Sequence, residues 1–259
     1  MRNASVQRGL MALYRIALGL GLLRSRPGRW LYEHAYDLYK RYVEARHSDQ
    51  LAAFIKPGST VIDVGANTGF FTVRFCRWTG PQGRVIAIEP DRDNLHGLRR
   101  RLGKARMGDR VQVIEAGAGD LDGQALLKLN PDHPGDHRLA DRGEPIRLMT
   151  LDHLLDDGQI SPVSLIKIDV QGAEEKVIQG ARSMLQQHRP ALFVEIDDGA
   201  LRQMGSGARR LLKLIAGLGY RFHTLDDKGP SSPLSVDQVL AELSTTGPYM
   251  DCLCLPDTD

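Results

Sequence analysis

The chain has 259 residues, 42% of them hydrophobic and 25% charged, which suits one large buried core with a small appendage and excludes a disordered or fibrous class. Its 34 Lys plus Arg against 32 Asp plus Glu leave a net charge of +2, so charge alone argues for no polyanionic partner and no nucleic acid is expected. Cys76, Cys252 and Cys254 form an odd set without metal-ligand spacing; they read as buried small hydrophobes in a reducing, cytoplasmic setting rather than as a disulfide framework.

Residues 5–24 and 31–55 read as helices separated by Pro27-Gly28, giving an N-terminal helical extension over 1–50 ahead of a main domain over 51–259. The apolar run Leu10–Leu23 is interrupted by Arg15, is flanked by Arg2, Arg8, Arg24 and Arg26, and is too short to span a bilayer. A proline-arginine stretch follows it where a cleavage site would stand, which argues against export. Two readings remain for residues 8–26: a helix docked on its own domain or on a second copy in a homodimer, or a basic amphipathic helix lying peripherally on an anionic inner-membrane surface. The aromatics Trp30, Tyr32, Tyr36, Tyr39 and Tyr42 either belong to that docked helix or line an acceptor site.

After Lys56-Pro57-Gly58 seven short apolar runs recur: "TVIDVG", "RVIAIEP", "VQVIEAGAG", "SLIKIDV", "ALFVEID", "RFHTLD" and "YMDCLCLP". Helical stretches lie between most of them, at 70–78, 91–105, 173–188 and 207–218. This alternation predicts an α/β, doubly wound, mostly parallel seven-stranded Rossmann-like sheet covered on both faces. Residues 121–160 break the rhythm and read as an insertion or lid: a short hairpin, a polar loop from Asn130 to Glu144, and a segment ending in "TLDHLL".

In such a sheet ligands bind beyond the carboxyl ends of the strands, where strand order reverses. "VIDVGANTG" is the loop after the first strand, and its spacing is neither G-x-G-x-x-G nor a Walker A loop. Gly65 and Gly69 let a backbone approach a ligand closely, the following helix offers unpaired N–H groups, and Asp63 would repel a pyrophosphate but attract an ammonium group. Glu89, ending the second strand in "AIEPD", stands where a carboxylate accepts ribose hydroxyls. A nucleoside carrying an amino acid, S-adenosylmethionine, fits this set better than a nucleotide, and a nicotinamide-dependent dehydrogenase is disfavoured by the missing fingerprint.

With "VIDVGANTGFFT", "AIEPD", "TLDHLL", "LIKIDVQGAEEKVIQGA" and "FVEI", the chain from about residue 51 to 226 resembles class I S-adenosylmethionine-dependent methyltransferases of the FkbM family. The resemblance implies O-methylation of a hydroxyl on a sugar, glycan or related natural product. It implies further that Gly65 and Asn67 hold the methionine end of the cofactor, Glu89 the ribose, and the loop from Gly117 to Asp120 the adenine. The helical preface lies outside it. A nucleic-acid methyltransferase and a cofactor-binding scaffold without turnover stand as alternatives; the basic run "LRRRLGKAR" reads as a solvated helix face without interleaved aromatics.

Methyl transfer to an alcohol needs oxygen, methyl and sulfur in line and a group to take the hydroxyl proton. Asp169, at the end of the fourth strand in "IKIDVQGAE", is the first candidate; Glu174 and Glu175 begin the next helix and read equally as caps. Asp169 with Glu195, and with Asp197 one alternate position on, could hold a divalent metal such as magnesium. In "NPDHPGDHRL", where "GDHR" is similar to a segment in part of the same family, His137 is a candidate general base with Asp136 to orient it, and His133 a weaker one. Lys167 is expected either on the strand side opposite Asp169 or buried and partnered mid-strand.

Overall fold

The computed structural model describes residues 47–130, 137–155, 160 and 162–257. The chain divides into two compact units, Met1–Asp49 and Gln50–Asp259. The expected helices over 5–24 and 31–46, the membrane-surface segment and the aromatics from Trp30 to Tyr42 lie outside the described residues, as do His133 and Asp136. The end of the second expected helix is a 3-10 segment, Ser48–Phe54.

Thirteen strands occur among the described residues: β1 Thr60–Val64, β2 Arg84–Glu89, β3 Val111–Glu115, β4 Gly117–Ala118, β5 Gly123–Lys128, β6 Arg138–Ala140, β7 Glu144–Met149, β8 Val163–Ile168, β9 Ala191–Asp197, β10 Tyr220–His223, β11 Leu225–Asp226, β12 Gly229–Pro230 and β13 Tyr249–Pro256. Seven of them form the main sheet in the order β10-β13-β9-β8-β1-β2-β3. Six point the same way, and β13 alone is reversed, antiparallel to both β9 and β10. The order reverses between β1 and β8, so the crevice for a ligand opens above those two strands. β1 and β8 are buried along their whole length, as continuous apolar runs in a sheet covered on both faces require.

The helices are α1 Phe70–Trp78, α2 Arg92–Ala105, α3 Glu174–Gln179, α4 Arg182–His188, α5 Asp198–Gln203, α6 Ala208–Gly217 and α7 Val236–Thr246. Residues of α1 and α2, including Phe75, Cys76, Leu95 and Leu98, share one apolar cluster with Val61 and Leu165; α3, α4, α6 and α7 share the other with Ile62, Val64, Ile166 and Ile168. The period-2 alternation of β1 and β8 therefore separates two cores, one on each sheet face. α1, "FFTVRFCRW", is rich in aromatic and β-branched residues of modest helix propensity, and it persists by burying Thr72, Val73, Phe75 and Cys76. α2 buries Leu95, Leu98 and Leu102 at helical spacing, each fully buried leucine being worth about 1.5 to 3 kcal/mol.

Two expectations are corrected. The helix over 173–188 is two helices, α3 and α4, interrupted at Gly180-Ala181, where Gly180 packs against the backbone of Gly119 too closely for a side chain. The polar stretch from Asn130 to Glu144 is not loop throughout: β6 lies within it and completes a four-stranded sheet in the order β4-β7-β5-β6. That second sheet stands between β3 and β8 in the sequence, in place of a crossover helix.

Candidate active site at the carboxyl ends of β1, β2 and β8

The loop after β1 alternates left-handed residues: Gly65, Asn67 and Gly69 have φ of 74°, 49° and 84°. Gly65 is glycine because of the neighbouring strand: a Cβ there would stand 1.8 Å from the carbonyl oxygen of Asp169. At Gly69 a Cβ would meet Leu98 of α2 at 2.4 Å. The missing side chains of these two glycines make room for the residue after β8 and for α2, a packing constraint invisible in the sequence. Gly69 is the N-cap of α1 and supplies no side-chain acceptor, so the first-turn N–H groups of that helix are left for a ligand.

Asn67 turns its backbone N–H to Glu89 Oε2 at 2.8 Å, while its own Oδ1 accepts the Thr68 N–H at 2.7 Å. Glu89 Oε1 accepts from the Asp91 N–H at 3.0 Å and from Asn94 Nδ2 at 3.3 Å. The Glu89 side chain is 4% exposed, and burial pushes its carboxyl up to about 7 against the pull of the Asp91 and Asn67 N–H groups. Asp91 caps α2 through the Asn94 N–H at 2.8 Å. Asp120 lies exposed just beyond β4, on the same carboxyl edge.

Asp63 is fully buried and is a register partner of Lys167 on β8. Its Oδ2 accepts from Thr72 Oγ1 at 2.6 Å, and its Oδ1 lies 3.8 Å from Lys167 Nζ with no hydrogen-bond partner. Burial raises the Asp63 carboxyl above its ordinary value, opposed by the attraction of Lys167 and the Thr72 hydrogen bond. Its partners within the described residues are Thr72 and Lys167.

Lys167 points to the same side of β8 as Asp169, which corrects the opposite-side alternative and agrees with a buried, partnered lysine. Its ammonium donates to Asp169 Oδ2 at 3.1 Å and sits 5.2 Å from the Phe71 ring centroid. Only 4% of the Lys167 side chain is exposed, against 25% for Asp169. Gln171, left-handed at φ 52°, places its amide nitrogen 3.5 Å from Asp169 Oδ1 and 3.0 Å from Glu195 Oε2. Glu174 Oε1 accepts the N–H groups of Val170 and Gly172, at 3.3 and 3.1 Å, and so ties down the turn that carries Asp169 and Gln171. Burial pushes the Glu174 carboxyl up to about 7. Glu175 pairs with Arg210 at 2.8 Å and with Ser206. Both helix-start glutamates therefore anchor structure.

Asp169 and Glu195 are joined by the Gln171 amide, and Asp197 caps α5 through the Ala200 N–H at 2.9 Å. Among the described residues no group of three His, Cys, Asp or Glu is placed to hold a metal ion, so the expected magnesium site has no donor set here. His137 is placed by two contacts. Its Nδ1 accepts the Asn130 N–H at 3.0 Å and its Nε2 faces Asp91 Oδ1 at 3.9 Å, which puts it beside the β2 carboxylates with its acceptor nitrogen engaged. Lys167, Gln171 and Thr72 complete the site. Of these, Lys167 carried a sequence signal, since residues two apart on a strand share a face.

A Rossmann-like sheet with a buried carboxylate after β2, a left-handed loop after β1 and a lysine-held aspartate after β8 defines an S-adenosylmethionine-dependent methyltransferase of the open-sheet class. The chain belongs to the FkbM methyltransferase family: the family described as the methyltransferase FkbM domain matches residues 63–222. It is 28% identical over 213 residues to the 2-O-methyltransferase NoeI of Sinorhizobium fredii, covering 75% of this chain and 86% of that protein. Methyltransferase 1 of Beauveria bassiana is 27% identical over 146 residues, 47% of this chain and 58% of that one. The solved structure of an FkbM methyltransferase from Methylobacillus flagellatus shares the fold, with a TM-score of 0.50 and 21% identity over 77% of this chain and 44% of that one. No helix among the described residues is long and apolar enough to cross a membrane.

Proposed function

We propose that the chain transfers the methyl group of S-adenosylmethionine to a hydroxyl of a sugar, a glycan or a related natural product, with Asp169 taking the hydroxyl proton. The observation that carries this reading is the placement of Asp169: a partly exposed carboxylate at the rim of β8, held from beneath by a buried lysine. The name 2-O-methyltransferase borne by the NoeI relative supports hydroxyl chemistry.

The residues after β1 and β2 suit the cofactor. Glu89 receives three N–H donors and a carboxylate has about four lone-pair sites, so acceptor capacity remains for a ribose hydroxyl. The uncapped N–H groups at the start of α1 suit the methionine carboxylate, and the exposed Asp120 suits the adenine edge. The cofactor supplies the electrophilic methyl carbon. Asp169 orients the acceptor oxygen and receives its proton, Lys167 fixes the Asp169 carboxylate, and Gln171 spaces Asp169 from Glu195 on the acceptor side.

The test uses methyl-labelled S-adenosylmethionine with a panel of neutral glycosides and glycans. Label transferred by the wild-type chain and abolished in Asp169→Asn, with cofactor affinity kept, is the expected result. Transfer to RNA but to no glycan would move the acceptor to another class, and cofactor binding without transfer to any acceptor would favour a scaffold.

A further inference from the structure

We propose that Lys167 is a positioning residue with two seats: its ammonium holds the charged Asp169 in the resting protein and passes to Asp63 when Asp169 takes the acceptor's proton. The inference rests on the reading of Asp169 as proton acceptor. It reassigns Asp63 from the cofactor to the lysine.

Three features of the geometry carry it. Asp63 and Lys167 are side by side in adjacent parallel strands, fixed by backbone register rather than by side-chain flexibility. Lys167 Nζ is 3.1 Å from Asp169 Oδ2 and 3.8 Å from Asp63 Oδ1, so a small swing of one terminal group exchanges partners. Asp63 Oδ1 is buried and makes no hydrogen bond, while Thr72 satisfies Oδ2. That oxygen is already in ion-pair range of the ammonium but beyond hydrogen-bond distance, so a closer approach of Lys167 gains a hydrogen bond for a buried acceptor. The Phe71 face, 5.2 Å from Nζ, lies against the ammonium and favours keeping its charge.

The charge balance closes. Methyl transfer breaks the C–S bond, its electron pair leaving with sulfur, and forms the O–CH3 bond. The hydroxyl proton goes to Asp169, so a sulfonium and a carboxylate lose their opposite charges together. Lys167 and Asp63 then remain as a matched buried pair, which keeps the ammonium compensated after Asp169 is neutral. The proton leaves to water from the exposed part of Asp169, and Lys167 returns.

The experiment has three arms on the full chain. Calorimetry of the wild type with S-adenosylmethionine comes first, because absence of binding would sink the methyltransferase reading itself and the inference with it. With binding in hand, the crystal structure of Asp169→Asn, neutral at position 169 as the protonated acid is, should show Lys167 Nζ within about 3.2 Å of Asp63 Oδ1. A lysine that stays where it is or turns to solvent overturns the two-seat proposal. Finally, the Asp169 carboxyl is titrated by NMR with γ-13C aspartate. It should titrate about 1 to 3 units lower in the wild type than in Lys167→Met, with Lys167→Arg recovering most of the difference. Identical titrations would show that the lysine merely fills the core. Because Lys167→Met strands the Asp63 charge, the double variant Asp63→Asn/Lys167→Met gives the same reading without a buried unpaired ion.

Discussion

The carboxylates at the ends of β2 and β8 stand in neighbouring parts of one crevice and are built on opposite principles. Glu89 is 4% exposed and is served by N–H dipoles from Asn67, Asp91 and Asn94. Asp169 is partly exposed and is held by a full positive charge. Dipoles fixed in a backbone orient a carboxylate without cancelling its charge, so burial dominates and Glu89 sits near the neutral range. An ammonium on one oxygen holds the charge in place at a carboxyl that still reaches the crevice. The first arrangement suits recognition of hydroxyl donors, and the second suits a group that must be ionised before a reaction and protonated after it.

Breaking the β8 end should have the largest effect. Asp169→Asn keeps the shape and removes the proton acceptor, so methyl transfer should fall about 100- to 10,000-fold, with cofactor affinity by calorimetry within a few-fold of wild type. Next comes the strand junction beneath it. Gly65→Ala forces a methyl into the Asp169 carbonyl at a left-handed residue and should cost about 2 to 5 kcal/mol of unfolding free energy. Gly80→Ala, equally left-handed at φ 72° but with open space around it, should cost only about 1 kcal/mol in the same denaturant titration. Equal costs at the two glycines would show that conformation, not the close approach, sets the value of Gly65. At the β2 end, Glu89→Gln should weaken S-adenosylmethionine binding by about 1.5 to 3 kcal/mol while leaving Asp169 chemistry intact at saturating cofactor.

How much of this was legible varies with the physics involved. The strands of the main sheet and the positions of Glu89 and Asp169 at strand ends follow from apolar runs and their ends, which are local properties. α2 was legible because its apolar period and its Asp91 cap agree. α7 was absent from the expected elements although Ser235 and Gln238 form a capping box ahead of it, a start signal that needs no tertiary information. Other features are properties of pairs far apart in the chain. The Asp63–Lys167 register joins residues about a hundred positions apart, and neither strand's sequence encodes which residue lies opposite which. The close approach at Gly65 is to the carbonyl of Asp169 just beyond β8, and the break at Gly180 answers to a backbone oxygen of Gly119. The four-stranded sheet escaped because β4 and β6 have only 2 and 3 residues, too short to show alternation.

The comparison is sharpened most finely by pH, because stability and affinity should move in opposite directions. Glu89 and Glu174 have folded values of about 7 against ordinary values of 4.5. A carboxyl raised on folding contributes stability that is fully present below its unfolded value and is lost as pH rises through the folded value. The protein should therefore be more stable at pH 5.5 than at pH 8, by on the order of 2 kcal/mol for each of the two groups at most. Ribose hydroxyls are accepted by the ionised form of Glu89, so cofactor affinity should fall about tenfold between pH 8 and pH 6. Glu174→Gln separates the two effects: it touches the turn after β8 and not the ribose, so part of the stability gain on acidification should vanish while the pH dependence of binding stays. Thermal melts and calorimetry across that range check both, and an affinity that is flat with pH would mean that Glu89 is already ionised throughout, its three N–H donors outweighing its burial.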